Sequence, residues 1–123
     1  MTEQLVGTEH DRRVDYIEFA AGDLPAVKRF YADVFGWRFT DYGPEYTSFA
    51  DGRLTGGFRQ ADEPTRGGPL VVIFALDLEA AQAAVNRAGG RIVKPIFSFP
   101  GGRRFHFVDP AGNELAVWSD RPR

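Results

Sequence analysis

Few residues in this chain have chemistry to offer. There is no cysteine, so disulfides, thiolate metal sites and a cysteine nucleophile are excluded together. The only histidines are His10 and His106. Glu18 sits in an alternating run that puts Val14, Tyr16, Glu18 and Ala20 on one face of a strand, and Asp15, Ile17 and Phe19 on the other. A carboxylate on a cavity wall accepts hydrogen bonds from a ligand, or serves as a base where desolvation raises its pKa. Glu18 and Tyr16 are therefore the candidate catalytic residues, and pairing of Glu18 with an arginine is the competing role.

The second carboxylate of interest, Glu114, lies in the stretch Phe105 to Trp118, FHFVDPAGNELAVW. This reads as two strands joined by a tight Asp109-Pro110-Ala111-Gly112 turn, since proline presets φ and glycine accepts positive φ. With four residues in the turn, Phe105 and Phe107 share a face with Glu114, Ala116 and Trp118. His106 then sides with Leu115 and Val117 and is expected as a packed or edge histidine, neither metal ligand nor base. Glu114 is expected solvated at the rim. The aromatic residues Tyr16, Phe58, Phe97, Phe99, Phe105, Phe107 and Trp118 either line an apolar cavity for a flat ligand or fill the core. Phe99-Pro100-Gly101-Gly102 reads as a mobile loop at a cavity mouth or as a long hairpin connection.

The elements that must position these groups fit in one domain of 123 residues. The net charge of −2 and the scattered Lys and Arg argue against a nucleic-acid surface. No window approaches the ~20 apolar residues of a membrane span, and a cytoplasmic location is expected. Residues 1–12 are polar and aperiodic, and are expected as a flexible arm. A strand from Val14 is followed by a helix over Leu24 to Phe35, with Asp23 as N-cap, Pro25 in the first turn and Gly36 as the stop. Three short strands follow, over Trp37–Tyr42, Tyr46–Ala50 and Leu54–Arg59, and then a turn-rich linker over 60–69. The second half repeats the order: a strand over Leu70–Leu76, a helix over Leu78–Ala88, and strands over Arg91–Phe97, Arg103–Val108 and Asn113–Ser119. Pro95 marks the first of these last three as an edge or a bulge. Asp23, Leu24, Val27, Tyr31, Val34 and Gly36 map at a constant offset onto Asp77, Leu78, Ala81, Val85, Ala88 and Gly90. A two-copy repeat of this length predicts a pseudo-symmetric α+β domain of two tandem βαβββ units, about 13–59 and 70–119, within a single domain over 13–120.

With DLPAVKRFYADVFGW in the first unit and FVDPAGNELAVW closing the second, the chain resembles the vicinal oxygen chelate superfamily over about Val14 to Trp118. This superfamily includes glyoxalase I, extradiol dioxygenases and bleomycin-resistance proteins. The resemblance implies half-barrel sheets enclosing a small-molecule cavity, a divalent metal in the enzymes, and frequent homodimers. It also implies where metal ligands would stand. The first lies seven residues before the capping aspartate, here Tyr16, with Leu70 as its counterpart in the second unit. The last lies seven residues after the turn aspartate, here Ala116, and its counterpart falls near Gly56 or Gly57. Leu, Ala and Gly side chains have no lone pair, and a phenol is a poor donor at neutral pH. The expectation is a metal-free protein with no cofactor, binding an aromatic or amphipathic small molecule between its halves. Tyr16, Glu18, Phe58, Phe105, Phe107, Ala116 and Trp118 are the expected contacts. The alternatives are a metal-dependent lyase, isomerase or dioxygenase with a site rebuilt from Glu18, Glu114 and His106, or a module that uses the fold only to pair with another chain.

Overall fold

A computed structural model describes residues 8–12 and 14–123. Residues 1–7 of the expected arm, and residue 13 after it, lie outside the described residues, and Thr8–His10 form a single 3-10 turn. The rest is two βαβββ units. The first comprises β1 (Tyr16–Ala21), α1 (Leu24–Phe35), β2 (Arg38–Asp41), β3 (Tyr46–Ala50) and β4 (Thr55–Gln60). The second comprises β5 (Val71–Phe74), α2 (Leu78–Arg87), β6 (Arg91–Phe99), β7 (Gly102–Val108) and β8 (Glu114–Ser119). Each unit forms one four-stranded sheet, in the order β1-β4-β3-β2 and β5-β8-β7-β6. In both, the helix crosses from an edge strand and the last strand returns parallel to that edge.

The helices begin where the sequence puts them, because the Asp23 and Asp77 carboxylates accept from the N–H groups of Ala26 and Ala80 at 3.0 and 2.9 Å. They end differently. Gly36 closes α1 with φ of 73°, whereas α2 ends at Arg87, one residue short of the expected Ala88, and of the Gly89-Gly90 pair that stops it Gly89 is the left-handed residue, with φ of 94°. Gly90 answers to packing: a Cβ there would lie 2.7 Å from Val85 Cγ1. The first strand starts at Tyr16, two residues later than expected, and Val14 is exposed.

One side of each sheet packs on the helices. Phe19, Phe49 and Phe58 of the first unit and Phe105, Phe107, Leu115 and Val117 of the second join Phe30, Tyr31, Leu78 and Val85 in one core. Phe58 stacks on Phe19 at 5.2 Å and packs against Tyr31 at 5.5 Å. The alternate positions turn away from the helices and give each sheet a second, more open face, on which Ala20, His106 and Ala116 are nonetheless buried.

β6 is an edge strand whose register shifts on either side of Lys94 and before Phe97, as Pro95 requires, and it runs on to Phe99. The connection after it is neither long nor loop-like. Phe99 pairs with Gly102, leaving Pro100 and Gly101 (φ 107°) as a two-residue turn.

Candidate functional site

The register of β7 and β8 decides what the second open face contains. Phe107 pairs with Leu115, His106 with Ala116, and Arg104 with Trp118. The connection has one more residue than the four expected, because Asp109 N–H donates to the Asn113 carbonyl at 2.9 Å and Asn113 belongs to the turn. One extra residue reverses side-chain parity. Phe105 and Phe107 are therefore core residues fully withdrawn from solvent, and His106 joins Glu114, Ala116 and Trp118 on the open face. Phe58 is likewise core. Of the seven expected ligand contacts, Tyr16, Glu18, Ala116 and Trp118 stand on the open faces, and the three phenylalanines do not.

On the second sheet the open face carries a strip of rings. Trp118 lies 5.4 Å from Phe74 and 6.5 Å from Phe99, and the Arg104 guanidinium sits over Phe99 and Phe97 at 5.6 and 5.5 Å. His106 lies 5.9 Å from Phe97, and its Nδ1 is 3.0 Å from Glu114 Oε2. A carboxylate only accepts, so Nδ1 carries the proton and donates to Glu114. His106 is 4% exposed, and its Nε2 is buried with no hydrogen-bond partner among the described residues. Glu114 stays half-exposed beside the turn.

On the first sheet the same positions hold a polar network. Tyr46 Oη donates to Glu18 Oε1 at 2.8 Å and contacts Tyr16 Oη at 2.6 Å. Arg59 Nε stands 3.5 Å from Glu18 Oε2, so Glu18 does have its arginine, and a tyrosine besides. Burial, and then the bonds to Tyr16 and Glu18, hold the Tyr46 hydroxyl well above its ordinary pKa, so it stays protonated. Tyr46 was not among the sequence candidates. The signal was strand parity, since Tyr46 lies opposite Arg59 with Ser48 opposite Gly57.

The turn between β7 and β8 joins the halves. Asn113 Nδ2 donates to the Ala20 carbonyl at 2.8 Å, its Oδ1 accepts from Thr65 N–H at 2.8 Å, and Ala20 N–H donates to Thr65 Oγ1 at 2.7 Å. Tyr31 Oη donates to Asp109 Oδ2 at 2.9 Å. The Asp-Pro-x-Gly-Asn motif is thus a structural clamp. Burial raises the Asp109 carboxyl above its ordinary pKa, against the lowering effect of its hydrogen bonds with Asn113, Tyr31 and Ala111.

A cavity of about 220 Å³ lies along this seam, lined by Phe19, Thr65, Pro69, Leu70, Asn113 and Glu114 among others. It is smaller than the ~300 Å³ at which pockets begin to bury a drug-sized ligand. None of the expected contact residues lines it.

The positions the resemblance assigns to a metal do not fit one. Leu70 and Ala116 have no donor atom, Gly57 has no side chain, and the Tyr16 hydroxyl is engaged by Tyr46. Among the described residues no group of three or more His, Cys, Asp or Glu could hold a metal ion, and no helix is long and apolar enough to cross a membrane.

Comparison with known proteins agrees with this architecture. An anthracycline biosynthesis protein, DnrV from Streptomyces peucetius, is 33% identical over 124 residues, covering 84% of this chain and 45% of its own. The chain therefore spans about half the length of that relative. A glyoxalase/bleomycin resistance protein/dioxygenase family enzyme from Burkholderia phytofirmans superposes with a TM-score of 0.76 at 18% identity, covering 88% of this chain and 100% of that one. A lactoylglutathione lyase from Agrobacterium tumefaciens superposes with a TM-score of 0.70 at 21% identity, covering 88% and 93%. Likenesses at these identities concern the fold. The superfamily profile itself matches residues 13–117, and the chain belongs to the glyoxalase/bleomycin resistance protein/dioxygenase superfamily.

Proposed function

We propose that this protein binds an aromatic or amphipathic small molecule on the open faces of its sheets, without metal or cofactor, as a homodimer. The observation that carries the reading is the strip Phe74–Trp118–Phe99–Arg104–Phe97. Rings and a guanidinium plane stack a flat ligand from either side of its π system. The relative named for anthracycline biosynthesis supports the same chemistry, since anthracyclines are fused, planar ring systems.

β5 supports the dimer. It is an edge strand with Leu70, Val72, Phe74 and Leu76 exposed at alternate positions, Val72 and Phe74 to 43% and 46%. Such an edge attracts a partner. A second copy laid across it would roof the strip, so that ligand site and dimer contact share one face.

One observation favours a second reading. The His106–Glu114 pair has the form of an oriented base, and an enzyme of lyase or isomerase type would use it for proton transfer.

Thermal-shift titration with an anthracycline, and separately with Ni²⁺, Zn²⁺, Mn²⁺ and Fe²⁺, tests the proposal. A ligand at a hundred times its Kd adds about 2.7 kcal/mol, several degrees in a domain of this size. The expected result is a rise with the planar aromatic and none with the metals. A rise with a metal alone would overturn the reading and send attention to lyase and ring-cleavage assays.

A further inference from the structure

We infer that the open face of the first sheet selects ligands bearing a hydrogen-bond donor: the Tyr16 oxygen accepts from a hydroxyl or amino group on an aromatic ring. This rests on the aromatic-binding reading above and specifies the polar half of the same ligand.

The argument begins with proton accounting. A phenol has one proton and a carboxylate has none to give. Tyr46 Oη donates its proton to Glu18 Oε1 at 2.8 Å. The 2.6 Å contact between the two hydroxyls is therefore Tyr16 donating to Tyr46. Tyr16 has then used its only proton, and its oxygen presents lone pairs alone. The chain runs one way, from Tyr16 through Tyr46 to Glu18, with Arg59 Nε 3.5 Å from the far carboxylate oxygen. Successive donation polarises each member, so the Tyr16 oxygen is a better acceptor than an isolated phenol. Tyr16 is 44% exposed and open to a ligand.

The backbone is cleared for this arrangement. A Cβ on Gly57 would lie 2.1 Å from Tyr46 Oη and 2.6 Å from Tyr16 Oη. Gly57 sits inside β4, between β1 and β3, where glycine is less favourable than alanine. The matching position between β5 and β7 in the second sheet is Ala116. Only the sheet with the paired hydroxyls gives up the side chain.

Matched small probes test this: phenol against anisole, and aniline against N,N-dimethylaniline. Each pair keeps the ring and differs in the donor. Affinities come from amide NMR titrations, followed at Gly57 and Tyr16. The expected result is that phenol and aniline bind about 3- to 10-fold more tightly than their methylated partners, the size of one neutral hydrogen bond. Tyr46→Phe frees the Tyr16 proton, so that Tyr16 donates to the methylated probes as well, and should weaken the preference while leaving ring affinity in place. Should that variant not fold, Tyr16→Phe, which removes the acceptor itself, must abolish the same preference. Equal binding within each pair, or a preference that survives both substitutions, overturns the inference and leaves the aromatic-binding reading intact. Binding of no probe at all overturns both.

Discussion

The two open faces occupy the same place in two copies of one unit and carry opposite chemistry. On β1 the residues turned away from the helices are Tyr16, Glu18 and Ala20, and their counterparts just before and on β5 are Leu70, Val72 and Phe74. Across the sheet, Gly57 and Arg59 are matched by Ala116 and Trp118, and Tyr46 and Ser48 by Arg104 and His106. The first face is a directed hydrogen-bond network and the second an aromatic strip. The faces turned to the helices did not diverge in this way. Both are apolar and contribute to one core, because a shared interior constrains both copies and an open face constrains neither.

That contrast can be tested in order of expected effect. Phe58→Ala, on the helix side, removes a large buried ring and should cost about 3–5 kcal/mol in a urea melt. Trp118→Ala, on the open side, should cost far less stability than Phe58→Ala while weakening binding of a planar aromatic. Equal stability losses would mean that the strip is core and not a binding face.

The next effect concerns the paired middle positions. Gly57→Ala drives a methyl into both tyrosine hydroxyls and should cost about 1–3 kcal/mol. It should also displace the Tyr16 and Tyr46 ring resonances. A neutral result with unmoved rings would break the claim that this glycine exists to seat the hydroxyl pair.

The smallest effect is a pH dependence in the clamp that holds the two faces in one molecule. The folded Asp109 pKa is raised by burial, so its contribution is fully present below the unfolded value near about 3.9 and is lost as pH rises through the folded value. Relative to Asp109→Asn, the wild type should lose stability as pH climbs from that unfolded value. Parallel urea melts at intervals over this range check the sign. A difference that grows more favourable to the wild type with rising pH would show that the hydrogen bonds from Tyr31, Ala111 and Asn113 outweigh burial.

Most of the scaffold was legible in the chain. The caps Asp23 and Asp77, the stop at Gly36 and the apolar spacing of α1 act within a turn or two, so local chemistry decides them. The absence of donor atoms at Leu70, Ala116 and Gly57 was equally plain, because identity alone settles what has a lone pair. The site was less legible. One residue, Asn113, moved from strand to turn, and with it His106 exchanged faces with Phe105 and Phe107. Asp109 closes the longer turn around Asn113 through its own N–H and its carboxylate, and distant groups then hold Asn113 in place. Its amide is held by Ala20 and Thr65, from the first strand and the linker.

The same division runs through the whole protein. Two βαβββ units, their helices and the lack of donor atoms at Leu70, Ala116 and Gly57 were determined by residue identity and short-range spacing. Strand parity at the last hairpin, the Tyr16–Tyr46–Glu18 chain and the aromatic strip were decided only by tertiary structure. The physical reason is that a strand has a period of two, so a turn longer by one residue reassigns every side chain beyond it, and the groups that hold this turn, Ala20 and Thr65, come from the other half of the chain.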